Sequence, residues 1–171
     1  PFNRLTGLTG TVTSVAYSAD GNTLVAGDQT GTAKLWDQRR TASPGAFAGV
    51  RAHGPITTLA VDPGSGVLVT ADGSATATLW NVATTAAPAA LATLPVPGGA
   101  KATVFGPDGR TLIAAGSGGT ASTWNTADPR RPVRGADLSF RSSPGETVRS
   151  VAFSPDRRTV ATVDEESGTL R

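Results

Sequence analysis

Residues 10–37 read GTVTSVAYSADGNTLVAGDQTGTAKLWD. Residues 54–81 read GPITTLAVDPGSGVLVTADGSATATLWN, and residues 99–125 read GAKATVFGPDGRTLIAAGSGGTASTWN. A further copy opens at residue 146 as ETVRSVAFSPDRRTVATVDEESGTLR. The copies register on Trp36, Trp80 and Trp124, which lie 44 residues apart. Nineteen residues before each stand Tyr17, Val61 and Phe105, and the same pattern returns at Phe153, 48 residues after Phe105. Self-similarity at a fixed period means that one small structural unit is repeated along the chain.

Each unit reads as short strands separated by turns. The first strand carries apolar residues at Val12, Val15 and Tyr17, then at Ile56, Leu59 and Val61, and again at Val148, Val151 and Phe153. A step of three followed by a step of two breaks the alternation of a strand, and a β-bulge between the first two positions restores one inward face. The second strand is apolar or small throughout (Leu24–Ala26, Val67–Val69, Leu112–Ala115, Val160–Val163), which predicts burial on both faces. Third strands are expected at Thr32–Trp36, Thr76–Trp80 and Thr120–Trp124. Less regular fourth strands are expected near Gly45–Val50, Ala89–Leu94 and Val133–Ser139. Between first and second strands lie Ala19-Asp20-Gly21, Pro107-Asp108-Gly109 and Pro155-Asp156-Arg157. Pro presets φ there, Asp bonds its own backbone, and Gly accepts positive φ. The Ala-rich stretch Val82–Leu94 looks helical, but Pro88 interrupts it and the repeat places a strand there.

Four short strands every 44 residues are the signature of a β-propeller blade. The expected fold is all-β: an arc of about four four-stranded antiparallel blades, part of a larger propeller. The repeats span residues 10–53, 54–97, 98–145 and 146–171. The chain opens at Pro1 without Met and stops inside an apparent strand, as expected of a fragment of a longer protein. An open arc leaves free sheet edges, through which the isolated chain is expected to self-associate.

The pattern resembles the WD-repeat family over nearly the whole chain. Trp36-Asp37, Trp80-Asn81 and Trp124-Asn125 match the third-strand ends, and the SPD and PDG turns match as well. Similar turns occur in TolB-type propellers, the alternative, but the Trp-Asp/Asn pairs and the strict period favour the WD pattern. The Gly-His pair of the family is not intact: Gly7-Leu8 stands in its place, and the sole His gives His53-Gly54. The family's Asp before the third strand is replaced by Thr30, Ser74 and Gly118. The resemblance implies a buried Asp–His–Ser–Trp hydrogen-bond chain, which these degenerate repeats cannot form in full. The third repeat is expected to be weakest, because Ala100 and Thr103 replace larger apolar residues.

Composition narrows the chemistry. Ala, Thr and Gly number 27, 25 and 21 of 171 residues, which excludes a coiled coil. No apolar run approaches a membrane-spanning length. Without Cys there is no disulfide, thiol nucleophile or zinc finger. With one His, no site can use two. Net charge is only +2, and 13 of the 15 basic residues are Arg, which reads as the codon bias of a GC-rich genome. Residues 116–121, GSGGTA, fit a dinucleotide-binding GxGxxA, but a strand rather than a helix follows. No cofactor, metal or catalytic residue is expected.

The loops carry the remaining information. The family arrangement implies one face with Asp28, Asp72, Glu146, Asp164, Glu165 and Glu166 against Arg51 and Lys101. The other face receives Arg39, Arg40, Arg110, Arg130, Arg131, Arg157 and Arg158 against Asp20, Asp37, Asp108, Asp128 and Asp156. The acidic face, with Gln29, Arg51 and His53, is the expected contact surface for a protein partner. The resemblance implies a non-catalytic interaction scaffold, a sensing or assembly module of a larger bacterial signalling protein in the cytoplasm, with neither nucleic acid nor membrane as partner. The competing reading is a hydrolase- or lyase-type propeller enzyme. Its channel would be lined by Thr13, Thr57, Ala102 and Arg149, which are poor acid–base groups. Its catalytic group would then lie in blades beyond this chain.

Overall fold

The computed structural model describes residues 5–39, 46–62, 64–83, 88–139, 147–154, 156 and 159–164. Among them every regular element is a β-strand. The first sheet holds β1 (Val12–Tyr17), β2 (Thr23–Asp28), β3 (Thr32–Asp37) and β4 (Ala48–Arg51), antiparallel and in chain order. The second repeats it with β5 (Thr58–Val61), β6 (Val67–Ala71), β7 (Thr76–Asn81) and β8 (Ala89–Pro95). The third holds β9 (Ala100–Phe105), β10 (Thr111–Gly116) and β11 (Thr120–Asn125). Its fourth strand is split into β12 (Val133–Arg134) and β13 (Leu138–Ser139), both paired with β11. The fourth sheet is described as the pair β14 (Val148–Phe153) and β15 (Val160–Asp164).

The expected bulge lies where the apolar spacing places it. Register shifts fall between Val12 and Ser14, between Ala100 and Ala102, and between Val148 and Ser150. In the second blade the ladder begins only at Thr58. The residues from Pro88 onward run into β8, so the Ala-rich stretch is no helix there. Gly116 ends β10 and Ser117-Gly118-Gly119 is the turn to β11, which removes the helix N-terminus that a dinucleotide site needs.

The inner strands β1, β5, β9 and β14 follow one another side by side. The apolar cores therefore lie between consecutive blades. Val25, Leu35 and Val50 of the first blade meet Ile56, Leu59 and Leu68 of the second. Val69, Leu79 and Leu94 meet Phe105, Leu112 and Trp124 of the third. Ile113 and Ala115 then meet Val148 and Val151 of the fourth. This explains the uninterrupted apolar run of each second strand. Val25, Val69 and Ile113 face the blade ahead, whereas Leu68 and Leu112 face the blade behind. The same repeat positions differ by neighbour: Ile56 and Leu59 are 1% and 4% exposed, but Val12 and Val15 of the first blade are 50% and 63% exposed.

The indole nitrogens show what the degenerate repeats retain. Trp80 Nε1 donates to Thr70 Oγ1 at 2.9 Å, one link of the hydrogen-bond chain that the resemblance implies. The positions equivalent to Thr70 are Ala26 and Ala114 in the neighbouring blades. Trp36 Nε1 instead donates to the Thr6 carbonyl at 3.3 Å. Trp124 Nε1 is buried with no hydrogen-bond partner among the described residues, although the Arg134 guanidinium lies 5.8 Å from the ring centroid. Ala114→Ser places a hydroxyl where Thr70 places its own. It is expected to raise stability by about 1 kcal/mol, the net worth of a satisfied buried donor, read as a higher melting temperature. An unchanged or lower melting temperature contradicts this account of the third blade.

Thr103, expected to weaken the third blade, is instead tied to the second. Its hydroxyl lies 3.1 Å from that of Thr58, and its amide donates to Thr58 Oγ1 at 3.2 Å. A polar contact stands where the second and fourth blades bury Leu59 and Val151.

Candidate functional site

The predicted contact surface begins at the turn from β2 to β3, and there the structure corrects the sequence reading. Asp28 is fully buried. Its Oδ1 accepts the Thr30 amide at 2.9 Å, the Thr30 hydroxyl at 2.6 Å and the Thr32 amide at 3.1 Å. Its Oδ2 accepts the Gly10 amide at 3.0 Å. Burial works to raise the pKa of Asp28, but the Thr30 hydroxyl and these amides outweigh it and lower the value to about 2. A carboxylate so engaged ties the loop before β1 to the β2–β3 turn and offers nothing to a partner. The legible signal was the period: Asp28, Asp72 and Asp164 share one repeat position, and Asp28 and Asp72 are followed two residues later by Thr30 and Ser74. An acid two residues before a hydroxyl is turn chemistry. The third blade has Gly116 at this position, where a Cβ would overlap the Gly99 carbonyl.

Asp72 plays the same part with more exposure. Its Oδ1 accepts the Ser74 amide at 3.1 Å. Burial again opposes ionisation, and bonds from Ser74 and the Gly54 amide overcome it, holding the carboxyl below its ordinary range. Gln29 is exposed, its amide held by the Thr11 carbonyl at 3.0 Å. Arg51 is the exposed end of β4, paired with Thr32, and His53 is exposed in the bend before β5. Two backbone bonds fix these pieces together: Ala52 N to Gly31 O at 2.8 Å and Ile56 N to Asp28 O at 3.1 Å. Gln29, Arg51, His53 and Asp72 thus form one rim across the first two blades. Asp164 ends β15, with its backbone opposite Val148. Glu146, Glu165 and Glu166 lie outside the described residues.

On the opposite face the acids are turn caps. Asp20 accepts the Ser18 hydroxyl at 2.5 Å and the Asn22 amide at 3.0 Å, which lower its pKa to about 2. Asp108 accepts the Arg110 and Thr111 amides, Asp128 accepts the Arg130 amide, and Asp37 pairs with Arg39 at 2.9 Å.

The inner strands enclose a concave space of about 640 Å³. Two repeating hydroxyl bonds sew its wall together. Thr13 Oγ1 donates to the Ile56 carbonyl at 2.6 Å, and Thr57 Oγ1 to the Ala100 carbonyl at 2.8 Å. Ser14 Oγ accepts the Leu59 amide, as Thr58 Oγ1 accepts that of Thr103. The third blade carries Lys101 and Ala102 at these two positions, so neither bond can form toward the fourth. The residue equivalent to Thr13 is therefore Lys101 rather than Ala102, and both line the space along with Arg149. No cluster of metal-ligating side chains occurs among the described residues, and no helix there is long and apolar enough to cross a membrane.

Comparison with known proteins agrees with this geometry. The family model "WD domain, G-beta repeat" matches residues 1–37 and 138–171. It leaves out the middle of the chain, where the second and third blades nevertheless fold on the same plan. No curated protein matches the sequence. Among solved structures, the β-propeller domain of Cps50 (Swd1) from Myceliophteria thermophila is similar, with 18% identity and a TM-score of 0.79. The alignment covers 96% of this chain and 53% of that one, so the chain spans about half the length of the propeller it matches.

Proposed function

We propose that this β-propeller arc is a non-catalytic protein-interaction scaffold of the WD-repeat kind, whose contact surface is the rim of Gln29, Arg51, His53 and Asp72. The observation that carries this reading is the backbone locking of that rim: loops held by one bond within the first blade, Ala52 to Gly31, and one from the second blade to the first, Ile56 to Asp28, present side chains with little entropy left to lose. Asp28 belongs to the support of the rim and not to its surface. Asp164 and the acids at Glu146, Glu165 and Glu166 extend the same surface in this proposal. The inner wall carries hydroxyls, methyl groups and two cations, a lining suited to binding more than to acid–base chemistry. The larger protein served by the scaffold is proposed to be a bacterial signalling protein in the cytoplasm, in which these blades sense or assemble.

The test is capture from a lysate of the source organism by the immobilised chain. The wild type is compared with a combined Gln29→Ala, Arg51→Ala, His53→Ala and Asp72→Asn variant. Asn at position 72 keeps an acceptor for the Ser74 amide. Specific partners should be lost with the combined variant while its melting temperature stays within a few degrees. An identical set of captured proteins would remove the rim from consideration.

A further inference from the structure

We propose that the cleft between the second and third blades, on the face opposite the rim, binds the alkylammonium or guanidinium group of an organic cation through Asp62 and Thr126. The cleft has a volume of about 310 Å³ and lies where the β5–β6 turn meets the β9–β10 turn and the loop after β11. The repeat shows what is unusual there. The positions equivalent to Asp62 are Ser18, Gly106 and Ser154, so an acid replaces a small neutral residue in the second blade. Asp62 is 3% exposed. Its Oδ1 accepts the Gly64 amide at 2.6 Å and the Ser65 amide at 2.9 Å, whereas Oδ2 accepts no bond among the described residues. A Cβ on Gly109 would stand 3.0 and 3.3 Å from the two oxygens, so the carboxylate reaches across to the turn of the third blade.

Thr126 stands opposite. Its equivalent in the second blade, Val82, packs into the core shared with the first blade, so Thr126 likewise faces the blade behind it. It is 4% exposed, and its hydroxyl is buried with no hydrogen-bond partner among the described residues. A carboxylate oxygen and a hydroxyl, each short of a partner, thus border one cleft, and leaving them unmatched costs free energy. Both can accept, so the fitting ligand is one that donates. Ammonium and guanidinium groups donate several N–H bonds and carry the charge opposite to that of Asp62. A hard metal ion wants six or more oxygens, and no cluster of three or more metal-ligating side chains occurs among the described residues. Pro107, Ala127 and Pro129 give apolar contact to the methylene groups behind a charged end. Two further charged residues border the cleft. Asp108, which caps the Arg110 and Thr111 amides, adds negative charge, and the exposed Arg110 competes with an incoming cation. The cleft is separate from the rim, so either can fail without the other.

The experiment is an NMR titration of the full chain, read at the Gly64, Ser65, Gly109 and Thr126 amides, with n-butylammonium, methylguanidinium, n-butanol and Ca²⁺. At least one organic cation should shift these amides to saturation, and butanol should bind at least about tenfold more weakly. Asp62→Asn keeps an acceptor for the Gly64 and Ser65 amides and should lose about tenfold or more in affinity. Thr126→Val supplies the residue of the second blade. It should lose about threefold or more in affinity and melt at an equal or higher temperature, because the unpaired hydroxyl is gone. Thr126→Ser, which keeps the hydroxyl, should bind as the wild type does. Arg110→Ala should bind equally well or more tightly. Asp20→Asn, on the same face but outside the cleft, should bind as the wild type does. The proposal is overturned by unchanged affinity in Asp62→Asn or Thr126→Val, by an equal loss in Asp20→Asn, by equal binding of butanol, or by no saturable shift with either organic cation. Tighter binding of Ca²⁺ than of the organic cations would make this a metal site and overturn it as well. A blocked tripeptide with a central arginine separates the two sources of the group: tighter binding than methylguanidinium assigns the cleft to a side chain of a protein partner, and weaker binding to a free small cation.

Discussion

Asp28→Ala is expected to lower the stability of the chain by about 2–3 kcal/mol, among the largest effects of any single polar substitution in it. The carboxylate accepts four donors while fully buried, and alanine leaves the Gly10, Thr30 and Thr32 amides without that partner. Denaturant unfolding would measure the loss, and a change within about 0.5 kcal/mol would show that the turn holds without its acid. Acid titration gives an independent check. The folded-state pKa of Asp28 is about 2, below its ordinary 3.8. A depressed carboxyl stabilises the folded form at pH values above the ordinary value, and that contribution disappears as pH falls through about 4 toward 2. Wild-type protein should therefore weaken across that window, and Asp28→Asn should weaken less steeply. Equal slopes would mean that the carboxylate is not held as described.

Leu59→Ala is expected to cost about 2–4 kcal/mol, whereas Val15→Ala, at the same position of the repeat, should stay within about 0.5 kcal/mol. Leu59 is 4% exposed and fills the core between the first and second blades, against Val25 and Leu35. Its Cδ2 lies 3.0 Å from where a Cβ on Gly27 would stand, so the blades meet at van der Waals distance and cannot close over a lost side chain without shifting backbone. Among the described residues no blade packs behind Val15, which is 63% exposed. Urea melts of the two variants, run side by side, measure the difference directly. Similar losses at both positions would mean that the inner strands draw their stability from within each blade, against the inter-blade cores described above.

The blade plan was legible because each element has a local cause. The tryptophan interval set the period, the Asp-Gly turns set the strand ends, and the three-then-two apolar step foretold the bulge at Val12 and Ser14. The candidate site was less legible. Asp28 looked like surface charge because acids in turns are usually solvated, and only its neighbours Thr30, Thr32 and Gly10 show that it is a buried cap. Lys101, not Ala102, stands at the repeat position of Thr13, and the period alone does not show that Lys101 and Arg149 border one space. Thr103 reads in the sequence as a weak core residue, whereas its hydroxyl lies beside that of Thr58, 45 positions earlier.

By itself, the amino-acid order determined that this chain is a succession of like sheets, where the first three strands of each lie, and which residues face inward within a sheet; the fourth strands, at Ala48–Arg51 and split into Val133–Arg134 and Leu138–Ser139, depart from the expected bounds. Those properties follow from backbone torsions and side-chain alternation over a few residues. Only the tertiary structure decided which acids are sealed, which indole goes without a partner and which cations share a wall. Each of these depends on what another segment brings within about 3 Å, the reach of a hydrogen bond, and a repeat period does not carry that information.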